Sequence, residues 1–131
     1  MNYLLDTSIF LWMIDEPEKL SPKAQRVLSA VGSELYLSVA SSWEIVIKVG
    51  TGRLTLEDTP VIYVPRWQSN YKINTLKISN PHALAVWSLP HYHEDPFDRM
   101  LIAQAQIEEM VLLTSDRAMN EYPVKIFWCG R

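Results

Sequence analysis

The sequence is short of cysteine, of excess positive charge and of long apolar runs. Its single cysteine, Cys129, excludes an internal disulfide bond and favours a reducing, cytoplasmic setting. The formal net charge of −3 argues against binding nucleic acid through bulk positive charge. The apolar run at 9–14 is broken by Asp15 and Glu16, so we expect neither a signal peptide nor a membrane-spanning helix.

What the sequence does contain is typical of one globular domain. Of its 131 residues, 48% are hydrophobic and 21% are charged, which are ordinary values for a folded protein. A chain of this length can bury a core without disulfide bonds. We find no repeat, low-complexity tract or linker, so we expect a single domain over residues 1–131.

Short apolar strands alternate with helices along the chain. Such alternation predicts an α/β fold with a parallel sheet of about five strands flanked by helices, in which ligands bind at the carboxyl edge of the strands. Residues 60–70 are ambiguous, because Pro60 favours a helix start and Pro65 would strain the interior of that helix. The expected strands are 2–5, 35–39, 74–78, 111–114 and 124–128, and the expected helices are 8–14, 22–30, 41–50, 79–88 and 96–109, with a short helix after Asp116.

Four acidic residues occupy comparable places beside these elements. Asp6 directly follows the first strand, and Asp116 follows the strand at 111–114. Glu44 is expected in the first turn of the helix after the second strand. Asp98 is expected in the first turn of the long helix, which spans roughly 20 Å at 1.5 Å per residue and therefore begins back at the carboxyl edge. We expect the four carboxylates to meet at that edge.

Each of these acids also has an ordinary structural explanation. Asp6 and Asp116 can be helix N-caps. Ser41 with Glu44 fits the S-x-x-E capping box, and Asp98 gains from the helix dipole. Capping does not require the carboxylates to meet, and carboxylates brought together raise one another's pKa values. A divalent cation removes that penalty, and a set of oxygen ligands favours Mg²⁺ or Mn²⁺ over zinc.

Several motifs resemble those of PIN-domain nucleases. Residues 4–8 (LLDTS), and 41–45 (SSWEI) followed by Lys48, resemble the opening motifs of these enzymes. The most specific stretch, 93–105 (HEDPFDRMLIAQA), resembles the H-x-D-P-F-D-R-x-L-I-A-Q-A signature of VapC-like toxins. Residues 113–116 (LTSD) match the T-x-D motif that closes such sites.

The resemblance covers nearly the whole chain, although residues 53–80 carry little recognisable signal. It implies an endoribonuclease that cuts RNA with Mg²⁺ or Mn²⁺ held by three or four acids. It also implies a toxin that a partner antitoxin neutralises and that forms homodimers, as many members do. On this resemblance, Asp6 and Asp98 are the firmest metal ligands. Glu44 and Asp116 complete the site directly or through water.

The chemistry expected of such a site is phosphodiester hydrolysis by a metal-activated water. Asp116 or Glu44 could orient that water. Thr7 and Thr114 could hold the carboxylates from outside the ligand shell.

Four further side chains near these motifs have competing interpretations. Lys48 lies four residues after an acid, which predicts an ion pair on the helix surface, with a phosphate contact as the alternative. Arg99 either contacts RNA or tethers neighbouring acids. Asp95 fits an N-cap before Pro96 better than a metal ligand. His93, like His91, lies in a loop without cysteine partners, so we expect no zinc site there.

Three other functions are conceivable on the sequence alone, and the residues present disfavour the first two. An aspartyl-phosphate phosphatase needs a second aspartate two residues after Asp6, and this position is Ser8. A non-catalytic RNA-binding or interaction module would be favoured by loss of one of the acids, but all four are present. An RNA-processing nuclease without an antitoxin stays possible, because a partner is encoded elsewhere.

Overall fold

Five strands form the centre of the molecule, in a computed structural model that describes residues 1–131. They form one sheet, every neighbouring pair in it is parallel, and their order is β3-β2-β1-β4-β5. The predicted five-stranded parallel sheet is therefore confirmed. The strands are β1 (Asn2–Leu5), β2 (Glu34–Ser38), β3 (Ile73–Leu76), β4 (Val111–Thr114) and β5 (Ile126–Trp128).

Six α-helices and three short 3-10 helices connect the strands. None of the helices combines the length and the apolar character that crossing a membrane would require. The 3-10 helices are Pro17–Lys19, Val86–Ser88 and Arg117–Glu121. The α-helices are α1 (Thr7–Asp15), α2 (Pro22–Ser29), α3 (Val39–Gly50), α4 (Pro60–Asn70), α5 (Asn80–Ala85) and α6 (Pro96–Glu108).

The sheet is buried on both of its faces. Successive side chains of a strand point to opposite faces, and accordingly Leu5 and Leu113 lie in one core cluster while Leu4 and Leu112 lie in the other. All four are fully buried. Helices cover both faces of such a sheet, which explains why its central strands read as continuous apolar runs rather than as alternating patterns.

Helix α3 begins two residues earlier than the sequence predicted. Its N-cap is Ser38, whose hydroxyl accepts the amide hydrogen of Ala40 at 3.0 Å. The predicted capping box of Ser41 and Glu44 is therefore wrong. Ser41 instead lies inside the helix and is fully buried. The shift places Glu44 in the second turn of α3, where the residue is only 5% exposed.

The ambiguous segment 60–70 is helix α4, with Pro60 at its first position and Pro65 inside it. Tertiary packing outweighs the unfavourable proline, because Tyr63 is fully buried and donates its hydroxyl hydrogen to Asp15 Oδ2 at 2.7 Å. The predicted helix at 79–88 divides into α5 and the 3-10 helix Val86–Ser88. The last strand is shorter than predicted, since it begins at Ile126.

The placement of the α3 cap can be tested by truncating serines one at a time. We expect Ser38→Ala to lower the free energy of unfolding by about 1 kcal/mol, because it removes the acceptor for an amide at the start of the helix. Ser42→Ala, inside the same helix, should change stability by less than about 0.5 kcal/mol. Urea denaturation measures both. Equal losses in the two variants would contradict the observed start of α3.

Candidate metal centre

The four predicted acids lie at the carboxyl edge of the sheet. Asp6 directly follows β1, and Asp116 lies two residues after β4. The strands β1 and β4 are parallel neighbours, so these two residues leave the sheet at the same edge. Glu44 reaches this edge from α3, and Asp98 reaches it from the first turn of α6. The structure thus brings all four to the edge of the sheet that the sequence predicted, and of the four only Asp98 and Asp116 belong to a group of ligand-type atoms within 4.8 Å of one another.

The side chain of Asp6 is oriented by the neighbouring strand rather than by the helix it precedes. Asp6 occupies the N-cap position of α1 but forms no side-chain capping hydrogen bond. Its Oδ2 accepts the hydroxyl hydrogen of Thr114 at 2.7 Å. The Thr114 hydroxyl oxygen in turn accepts the amide hydrogen of Asp116 at 3.0 Å. Simple capping therefore does not explain the orientation of Asp6, and Thr114 links it to the turn after β4.

Both carboxylate oxygens of Glu44 have protein partners. Oε1 accepts the hydroxyl hydrogen of Thr7 at 2.6 Å, and Oε2 lies 2.8 Å from Nζ of Lys48. The ion pair predicted for Lys48 is thus present. The Thr7 oxygen also lies 2.8 Å from Oγ of Ser41, which gives that buried serine a polar partner. The two threonines predicted to hold carboxylates therefore both do so, each on a different acid.

His93, for which the sequence indicated no role, lies between the remaining two acids. Nε2 of His93 lies 2.9 Å from Oδ2 of Asp98 and 2.8 Å from Oδ2 of Asp116. The ligand-type atoms of these three side chains all lie within 4.8 Å of one another. The signal that could have identified His93 is its place at the head of the H-x-D-P-F-D-R signature.

Asp116 also has an ordinary capping role, in addition to its contact with His93. Its Oδ1 accepts the amide hydrogen of Ala118 at 3.0 Å, at the start of the 3-10 helix Arg117–Glu121. Both of its oxygens therefore have protein donors, as those of Glu44 do. In contrast, Asp6 and Asp98 each have a single side-chain donor, and each retains one oxygen without a side-chain partner.

Asp95 is an N-cap, as the sequence predicted. Its Oδ1 accepts the amide hydrogens of Phe97 at 2.8 Å and of Asp98 at 3.3 Å. This cap fixes the first turn of α6 and hence the position from which the Asp98 side chain projects.

One of the two roles expected of Arg99, the tether to neighbouring acids, is wrong. Its guanidinium, at a residue 7% exposed, forms no ion pair with the predicted acids. It donates instead to backbone carbonyl oxygens and to the Tyr122 hydroxyl. A guanidinium carries five N–H donors, so a single side chain binds the carbonyl oxygens of four residues that precede α6. The carbonyl partners belong to Val86, Leu89, Pro90 and His93.

Crowding and burial make this cluster unfavourable when it is fully ionised. Burial, and secondarily the carboxylate of Asp6, raise the pKa of Asp98 from its ordinary 3.8 to about 8. Burial raises the pKa of Asp6 to about 6, against the opposing effect of the Thr114 hydrogen bond. The Glu44 and Asp116 carboxylates raise both pKa values further. The pKa values of Asp6 and Asp98 therefore depend on the charges of the other acids, as expected of acids that share one site.

The donor set fits a hard divalent cation. Carboxylate oxygens are the ligands that Mg²⁺ and Mn²⁺ prefer, and a cation would offset the repulsion that raises these pKa values. The oxygens without side-chain partners on Asp6 and Asp98 are available as ligands.

Solved structures similar to this chain share its fold at low sequence identity. A chain of VapBC2 from Rickettsia felis, bound to a DNA fragment from its promoter, has a TM-score of 0.74 at 15% identity, over 98% of this chain and 99% of that one. A chain of DNA-bound VapBC from Salmonella typhimurium has a TM-score of 0.67 at 16% identity, over 97% of each chain. A chain of FitAcB from Neisseria gonorrhoeae has a TM-score of 0.60 at 19% identity, over 95% and 96%.

Sequence comparison gives a match at the level of the family. No curated protein sequence matches the chain. The family model of the PIN domain matches residues 3–125, which include all four acids, both threonines and the stretch from His93 to Arg99. The chain therefore belongs to the PIN-domain family.

Proposed function

We propose that this chain is a metal-dependent endoribonuclease that acts as the toxin of a type II toxin–antitoxin system. Membership in the PIN-domain family implies a nuclease. The observation that carries the proposal is that Asp6, Glu44, Asp98 and Asp116 all lie at one edge of the sheet, where hydroxyl and imidazole groups contact them. This arrangement is costly without a cation, and it uses the ligand chemistry that phosphodiester hydrolysis by Mg²⁺ or Mn²⁺ requires.

The acids differ in how they would hold the cation. Asp6 and Asp98 would bind it directly, since each has a carboxylate oxygen that no side chain occupies. Glu44 and Asp116 have donors on both oxygens, which favours contact through water. A bound Mg²⁺ or Mn²⁺ would lower the pKa of a coordinated water and neutralise charge on the phosphate.

The remaining side chains of the site orient the acids and the substrate. Thr7 and Thr114 fix the carboxylates of Glu44 and Asp6, respectively, so these acids are held before the substrate arrives. Glu44 or Asp116 orients the attacking water. Lys48 is 40% exposed beside Glu44, so its ammonium group can also approach an RNA phosphate. No side chain in this scheme becomes covalently attached to the substrate.

The assignment as a toxin rests on the signature at 93–105 and on fold similarity to chains of VapBC and FitAB complexes. We propose a cognate antitoxin protein and a second copy of this chain as partners, in the cytoplasm, with residues 1–131 as a single domain. An RNA-processing nuclease without an antitoxin would use the same acids, and the growth experiment below separates the two functions.

The first prediction concerns stability without metal. The raised pKa of Asp98 means that the folded state retains a proton that the unfolded state has lost. The free energy of unfolding should therefore fall as the pH rises from about 5 to about 8. Asp98→Asn should flatten this dependence and raise the Tm near pH 8 by about 4 °C, equivalent to about 1 kcal/mol. Thermal unfolding followed by circular dichroism measures both effects.

Added metal provides the matching control for that measurement. Mg²⁺ or Mn²⁺ should raise the Tm of the wild type by linkage and should leave Asp98→Asn nearly unchanged. A metal-free Asp98→Asn variant that melts below the wild type near pH 8 would contradict the proposed crowding of carboxylates.

The second prediction concerns cleavage. Asp6→Asn and Asp98→Asn keep the size of each side chain but remove a charged ligand oxygen. We expect each to slow RNA cleavage by more than the roughly 10–100-fold that outer-shell changes typically cause. Glu94→Gln, an exposed acid in the same loop, should cleave at the wild-type rate. Sequencing of RNA 5′ ends after brief expression identifies the target, and a folded Asp98→Asn variant that creates the same ends as the wild type would refute the site.

The third prediction separates a toxin from an RNA-processing enzyme. Induced expression of the wild-type chain should arrest bacterial growth, because unrestrained cleavage depletes an essential RNA. Asp98→Asn expressed to the same level should not arrest growth. Co-expression of the protein encoded beside this one should restore growth of cells that carry the wild type. Normal growth despite new RNA ends would favour the processing nuclease.

A further inference from the structure

The loop before α6 places His93 between two acids that belong to different elements. Asp98 projects from α6 and Asp116 from the turn after β4, and both direct an Oδ2 atom at Nε2 of His93, at 2.9 Å and 2.8 Å. The His93 backbone is held on both sides. Its amide donates to the Tyr122 hydroxyl at 2.9 Å, and its carbonyl accepts from Arg99. The backbone from which the imidazole projects is therefore held by contacts independent of the two acids.

The surroundings of the ring determine which nitrogen carries the hydrogen. The backbone amide of Asp95 donates to Nδ1 of His93 at 3.2 Å. An amide N–H can only donate, so Nδ1 must present its lone pair. In the neutral ring the hydrogen then lies on Nε2, which faces the two carboxylates and can donate to both.

This tautomer distinguishes His93 from a metal ligand. A ligating Nε2 needs its own lone pair, and a metal-bound histidine almost always donates its other ring N–H to an acceptor. The group that faces Nδ1 here is itself a donor. The short distances among His93, Asp98 and Asp116 are thus explained by the Nε2 hydrogen of His93, which both carboxylates accept. They do not require that all three side chains bind one metal ion.

We propose that His93 is a positioning residue that ties Asp98 to Asp116 through its Nε2 hydrogen. This inference rests on the proposed function, because it concerns the cation site. Holding one oxygen of Asp98 leaves the other free to bind the cation. Holding Asp116 at the same point fixes the separation between a direct ligand and an acid that acts through water.

The tautomer can be measured without any metal. Two-dimensional ¹⁵N–¹H spectra of the histidine rings should show His93 with hydrogen on Nε2 and not on Nδ1. The same pattern should persist after addition of Mg²⁺. A hydrogen on Nδ1, in either state, would overturn the proposal. His93→Gln identifies the resonances.

Variants then separate a donor from a ligand. Glutamine places an amide N–H near the position of Nε2, whereas leucine offers no donor. We expect His93→Leu to weaken Mn²⁺ binding by about 10–100-fold and His93→Gln to remain within about threefold of the wild type. His91→Gln, in the exposed part of the same loop, should bind as the wild type does. Electron paramagnetic resonance of Mn²⁺ gives these affinities.

Nitrogen coupling in the electron spin echo of bound Mn²⁺ adds a direct readout. The wild type should lack the coupling of a directly bound imidazole, and its presence would overturn the proposal. Equal affinity in His93→Leu and the wild type, or equal losses in His93→Leu and His93→Gln, would do the same. Absence of Mn²⁺ and Mg²⁺ binding by the wild type itself would instead refute the proposed function, so the two failures are distinguishable.

Discussion

Repulsion among buried carboxylates is the constraint on which the rest of this site depends. Asp6 and Asp98 are removed from water, which is the largest cause of their raised pKa values, and the charges of neighbouring carboxylates raise both pKa values as well. A fold retains such an arrangement only when other interactions hold the acids together. Here the parallel pairing of β1 with β4, and the helices that return to the same edge, supply those interactions. The acids are therefore held where a cation can relieve their repulsion. The free energy gained when this repulsion is relieved contributes to the affinity for the cation.

Hydroxyl and imidazole donors contact all four acids. The Thr114 and Thr7 hydroxyls orient Asp6 and Glu44, and the imidazole of His93 orients Asp98. Such donors set the direction of a carboxylate without cancelling its charge, which a buried arginine or lysine would do. The buried arginine nearby, Arg99, follows the same logic because it binds backbone carbonyls and not the acids. Apart from the ion pair of Glu44 with Lys48, the negative charge of the site is thus preserved for the cation.

The sequence sufficed to predict what depends on short-range patterns. The strands, the parallel sheet and the edge to which the acids lead all follow from apolar runs and from the order of elements. The start of α3 could not be predicted from such patterns, because Ser38 and Ser41 are both acceptable caps and only the length of β2 decides between them. The contacts of His93 and Arg99 were also missed. Their partners lie on other elements, at Asp116 and Tyr122 among others, and no local pattern reports such distances.

The negative net charge of the chain is a second reason why the site needs a cation. A protein with net charge −3 that places four carboxylates at its site repels RNA unless local charge compensates. Lys48 is the lysine whose pKa is raised by Glu44 and by the nearby Asp95 and Asp98, so its positive charge is largely engaged by the acids themselves. A single ammonium group cannot offset four carboxylates. The divalent cation proposed here would therefore do two things at once: it would stabilise the folded cluster, and it would make the pocket attractive to a phosphate. Substrate binding and metal binding should then be coupled, because RNA approaches a neutralised site far more readily than a metal-free one.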